Sequence, residues 1–135
     1  MRISLYSVVC KISANEVFVC LKKSGKILTT DEVDLYPLDL YKDYVFLPHI
    51  DKTVVYDAFL DHYHLDKVKR LLHEQEDFTV AFRIFSENSW EYHMGIVRNF
   101  EMKYLKPLAE AWCRKNNLPF IDDVPTWGKE KIESP

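Results

Sequence analysis

Ile96, Phe100, Tyr104, Leu108 and Trp112 recur at every fourth position, and Val97, Leu105 and Ala109 widen the same stripe. Nothing else in the chain restricts its fold as much, because an apolar face of that period belongs to an amphipathic helix that must bury it. The spacing predicts a core-facing helix over about 92–115. Pro107 falls inside it and has no amide for the carbonyl of Lys103, so a kink or a restart as two helices is expected there. Asn116-Asn117 and Pro119 supply the stop.

The residues before this helix follow the same period in shorter runs. Asp51 is a candidate N-cap for a helix with Val54, Val55, Ala58, Phe59 and His62 on one face. A second helix from Asp66 places Val68, Leu71 and Leu72 inward, and Phe78, Ala81, Phe82 and Phe85 suit a third.

The N-terminal quarter has a different texture. Residues 3–12 and 17–22 are rich in Ile, Val, Phe, Leu and Cys and read as strands joined by the turn Ser13-Ala14-Asn15-Glu16. Ser24-Gly25 reads as a two-residue hairpin turn leading into 26–30, with Gly25 supplying positive φ. Tyr44-Val45-Phe46-Leu47, ahead of Pro48, is an extended segment or edge strand. The expected fold is therefore α+β, an N-terminal three-stranded antiparallel meander packed against a C-terminal group of about four helices. A single domain is expected over 1–127, with Phe120, Ile121 and Trp127 packed across its surface and a frayed tail over 128–135.

At 135 residues, with 47% apolar and 29% charged, the chain has enough apolar surface for one packed core and is not of disordered composition. A net charge of −3 removes the polycationic footprint of a non-specific DNA binder. The charge is unevenly placed. Residues 1–30 carry five Lys or Arg against one Glu, whereas residues 31–66 carry two against nine acidic residues. The three cysteines, Cys10, Cys20 and Cys113, form no C-x-x-C pair, and Cys10 and Cys20 sit among apolar neighbours as core thiols would. No apolar run reaches the length of a signal-peptide core or a membrane span, so a cytoplasmic setting is expected.

The order of elements, with Phe46-Leu47-Pro48-His49-Ile50-Asp51 opening a helix, Ala81-Phe82-Arg83-Ile84-Phe85, and Leu108-Ala109-Glu110-Ala111-Trp112 near the C-terminus, resembles the bacterial uncharacterised protein family 0158 over about residues 8–118. The resemblance implies an α+β layout and a cytoplasmic setting, and it implies no reaction.

Catalytic constellations are missing from the pattern. There is no nucleophile elbow and no glycine-rich phosphate loop, so no cofactor is expected and a non-enzymatic reading leads. His62-Tyr63-His64 with Asp61 and Asp66 is the densest group of metal-ligand types. A helix would leave only His62 and Asp66 on one face, a loop would admit a site, and zinc spacings are absent, so no metal is expected. The acidic residues Asp31, Glu32, Asp34, Asp39 and Asp43 lack the glycine and terminal glutamate of a calcium loop and read as a solvated face.

The candidate binding residues are basic. Lys22, Lys23 and Lys26 flank the hairpin turn, and Lys67 and Arg70, with Lys69, lie on the second helix, where they suit either phosphate contact or plain solubility. Arg83, among phenylalanines, is expected to bury part of its stem and pair with Glu87 or the acidic segment, or else to anchor a phosphate or carboxylate. Trp90 and Trp112 are expected in the core. These features point to a binding or protein-interaction module with a protein partner or a second copy, basic hairpin to acidic segment. A nucleic-acid-associated protein using the lysine hairpin is the alternative, and a small metal-dependent or hydrolytic enzyme is the third reading.

Overall fold

The computed structural model describes residues 2–33 and 44–125. The chain divides into two compact units. The first comprises Met1–His49 and Leu105–Pro125, and the second, among the described residues, Ile50–Tyr104.

In the first unit the order is β1 (Ile3–Ser4), α1 (Leu5–Ile12), β2 (Phe18–Leu21), β3 (Ile27–Thr29), a short α2 (Thr30–Val33) and β4 (Tyr44–Phe46), with β5 (Phe120–Ile121) near the end of the described chain. The strand expected over 3–12 is a helix after its first two residues. Ser4 caps it, its hydroxyl accepting from the Ser7 amide at 3.1 Å. Leu5, Val8, Val9 and Ile12 are all fully buried, a one-sided face at helical spacing that outweighs the β-preference of Val and Ile. The three-stranded antiparallel sheet exists, yet it is not a meander. Its order is β3-β2-β4, with β2 in the middle, Cys20 opposite Ile27 on one side and Val45 on the other.

The hairpin between β2 and β3 is longer than a two-residue turn. Leu21 donates its amide to Lys26 O at 2.8 Å and Gly25 donates back to Leu21 O at 2.7 Å, so Lys22–Gly25 forms the loop. Gly25 takes φ 73°, a conformation in which a side chain meets its own backbone. The second, two-stranded pairing is parallel: Ile3 lies opposite Phe120 and Ser4 opposite Ile121. Trp112 is buried and its Nε1 donates to Phe46 O at 2.9 Å, fastening the edge strand β4.

The second unit is helical. It holds α3 (Lys52–His62), α4 (Asp66–His73), α5 (Phe78–Glu87) and the start of α6 (Met94–Lys115). Asp51 caps α3, accepting from the Thr53 amide at 2.8 Å, and Asp77 caps α5, accepting from Val80 at 3.2 Å. Tyr56, Phe59, Leu60, Leu72, Phe82, Ile96 and Val97 form the core, and Phe78, Ala81, Phe85 and Phe100 pack against it. Tyr56 stacks on Phe82 with centroids 4.0 Å apart, while Phe59 meets Phe82 edge-on at 5.6 Å. Both geometries suit the quadrupoles of the rings.

Several residues expected inside lie outside. Val54, Leu71, Leu108 and Trp90 are exposed; for Val54 and Leu71 the reason is that the buried face of α3 is turned to Val55, Tyr56, Phe59 and Leu60 and that of α4 to Leu72. α6 runs unbroken through Pro107, so it does not restart as two helices. Its first residues belong to the second unit and its last to the first. Its stop is as expected, with Asn117 at φ 55° and the Leu118 amide closing on Cys113 O at 2.9 Å. At the other end His93 accepts from the Gly95 amide through Nδ1 at 3.1 Å. A Cβ on Gly95 would sit 2.8 Å from the ring, so the imidazole cap requires glycine there.

Cys20 and Cys113 are buried and Cys10 is only partly so, which corrects the expectation of a buried Cys10. Phe120 is half-buried and Ile121 exposed. Trp127 and the tail 128–135 lie outside the described residues, as do Asp34, Asp39 and Asp43 of the acidic segment. No helix among the described residues is long and apolar enough to cross a membrane.

Candidate functional site

Basic side chains on α4 divide into two sets because successive residues turn by about 100° around a helix. Lys69 and His73, one turn apart, face α3. Lys69 Nζ reaches Asp61 Oδ1 at 3.0 Å, and that bond raises the lysine's pKa. His73 Nε2 lies 2.6 Å from Asp57 Oδ1, and its ring stacks on Phe78 at 4.0 Å. Asp57 and Asp61 are themselves one turn apart on α3, so two carboxylates meet two basic groups along one seam.

Lys67 and Arg70, three residues apart, lie on a different face of α4. Both are exposed, and neither forms an ion pair among the described residues. They line one open pocket of about 510 Å³ together with His64, Leu65, Asp66 and Val68, a size within the range of small-ligand and side-chain sites. Two local features create the hollow. His64 adopts φ 56°, which turns the chain sharply between α3 and α4, and the N-cap of α4 is Leu65, whose side chain supplies no capping hydrogen bond. The first turn of α4 is thus left without the Asp or Ser side chain that caps α1, α3 and α5. Asp66 is the one carboxylate on the rim, set against the charges of Lys67 and Arg70.

The other basic candidates lie elsewhere. Lys22, Lys23 and Lys26 are exposed on the hairpin of the first unit, and the charge of Lys26 helps to lower the pKa of Glu32, after the stronger backbone and hydroxyl bonds from Thr29. Arg83 is exposed on α5 rather than partly buried, and no ion pair joins it to Glu87 among the described residues. The acidic residues Asp31 and Glu16 border a smaller hollow of about 210 Å³ with Val17, Thr29 and Thr30.

The histidine group at 61–66 is dispersed by the structure. His62 ends α3 with its ring 5.4 Å from that of Phe100, Asp61 is held by Lys69, and His64 turns to the pocket. Among the described residues no three His, Cys, Asp or Glu side chains converge as a metal site. The seam of Asp57, Asp61, Lys69 and His73 went unread in the sequence, although the two i, i+4 pairs are visible there once the helices are assigned.

No family model, curated protein or solved structure matches the chain.

Proposed function

We propose that the protein is a non-enzymatic binding module that takes an acidic segment of a protein partner into the pocket at the start of α4. One observation carries this reading. Of the basic groups on α4, Lys69 and His73 are engaged by carboxylates of α3, whereas Lys67 and Arg70 share a pocket and have no carboxylate partner among the described residues. An Arg guanidinium binds a carboxylate or phosphate through two parallel hydrogen bonds, and a lysine three residues away adds a mobile charge beside it. Leu65 and Val68 give the same pocket an apolar wall, as peptide recognition needs.

The test is a titration of isotope-labelled protein with a short glutamate-rich peptide, followed by amide shifts. Shifts should concentrate on residues 64–70, weaken with salt, and require at least about tenfold more peptide in the Lys67→Ala/Arg70→Ala variant. Absence of shifts at 64–70 up to millimolar peptide would sink the reading. The nucleic-acid alternative draws on the exposure of Lys22, Lys23 and Lys26 around one loop. Labelled RNA or DNA that moves residues 22–26, where the peptide moves nothing, would favour it instead.

A further inference from the structure

α5 carries apolar residues on two opposite sides. Phe78, Ala81, Phe82 and Phe85 face the core, yet Val80 and Ile84, one turn apart on the opposite side, are 49% and 55% exposed. Two residues after its cap Asn88, Trp90 is 64% exposed. A helix with this distribution ordinarily has a second neighbour.

We infer that the outer face of α5 pairs with α5 of a second copy, the two helices antiparallel about a two-fold axis. The occupant follows from charge. Arg83 and Glu87 are one turn apart along one flank of the Val80–Ile84 stripe, both exposed, and they form no ion pair with each other. A two-fold axis between antiparallel helices brings the same flank of each copy together and reverses its direction. The register that sets Arg83 opposite Glu87 of the second copy therefore forms two reciprocal ion pairs. The same register puts the two Ile84 side chains within about 3 Å of one level along the axis, at 1.5 Å per residue. One helix face thus supplies both halves of its own complement. A contact of a few turns is smaller than the roughly 800 Å² per partner of a standard interface, so the dimer forms reversibly at high protein concentration. The surface shares no residue with the α4 pocket.

Sedimentation equilibrium from about 1 to 500 μM tests the pairing at low salt. The full chain should pass from monomer to dimer, and Ile84→Glu should hold it as monomer. Arg83→Glu should weaken association about tenfold or more by facing glutamate with glutamate. Arg83→Glu/Glu87→Arg should restore it to within about threefold, because the reciprocal pairs re-form with reversed sign. All these sites are exposed, and unchanged thermal midpoints will show that the variants fold. Lys67→Ala/Arg70→Ala should dimerise like the parent, which separates this surface from the peptide site. A parent chain that is monomeric throughout, a dimer indifferent to Ile84→Glu, or a double variant no better than Arg83→Glu would each overturn the inference.

Discussion

The three thiols of this chain illustrate how much one residue's surroundings decide. Burial pushes the Cys20 thiol up to about 11, with nearby Cys113 adding to the effect, and burial likewise raises Cys113 despite the opposing charge of Arg114. Alkylation proceeds through the thiolate, so both are protected twice, by access and by protonation. Iodoacetamide at neutral pH should therefore label Cys10 alone in the folded protein, and all three once it is denatured. Intact mass after a short pulse reads this directly, and equal labelling at Cys20 in the native protein would contradict it. The same dependence explains why Lys67, Lys69 and Arg70 look alike in sequence. Periodicity separates their directions on the helix, but which of them meets a carboxylate depends on α3, which the local pattern does not contain. Arg83 shows the limit from the other side: its phenylalanine neighbours in sequence point to the core, and it points away.

Among the elements, the pairing of β1 with β5 is held by Asp123 as much as by the strands. Its Oδ2 accepts from Ser4 Oγ at 2.6 Å and its Oδ1 from the Tyr6 amide at 2.9 Å. Desolvation by itself raises this carboxyl, and the bonds from Ser4, Tyr6 and neighbouring amides together bring it below the ordinary aspartate value of 3.8. A depressed folded value means that the unfolded chain takes up the proton first as pH falls. The contribution is fully present above about pH 4 and is lost as pH drops through the folded value. Denaturation midpoints followed from pH 6 to pH 2 should fall less steeply for Asp123→Asn than for the parent, and parallel curves would show that the bonds carry no net weight. The elements were legible unevenly. Helices α3 to α6 were legible from their period, and α3 from its Asp51 cap as well. The first segment did not, since its Ile and Val favour a strand while Leu5, Val8, Val9 and Ile12 stand at helical spacing behind the Ser4 cap. Weighting the spacing above the composition would have found α1. The β3-β2-β4 order was not legible, because a local pattern names strands without naming neighbours.

At the scale of the whole molecule the chain order and the two units do not coincide. Ile50–Tyr104 forms its unit from consecutive residues, whereas the other unit needs residues from both sides of it. Local contacts close at small entropic cost and distant ones at greater cost. Pulsed hydrogen exchange during refolding should protect amides of α3 and α5 before those of Ile3 and Ile121, and simultaneous protection of both sets would show that the units fold as one. The pocket and the outer face of α5 both belong to the unit built from consecutive residues.

The parallel pairing of Ile3 with Phe120 has a consequence during synthesis. The partner of the first strand is made more than a hundred residues later, which at translation rates of about 5–20 residues per second is a wait of roughly ten seconds. Throughout that interval the nascent N-terminal segment, with the apolar face of α1 behind it, has no strand to join and is open to whatever holds emerging chains.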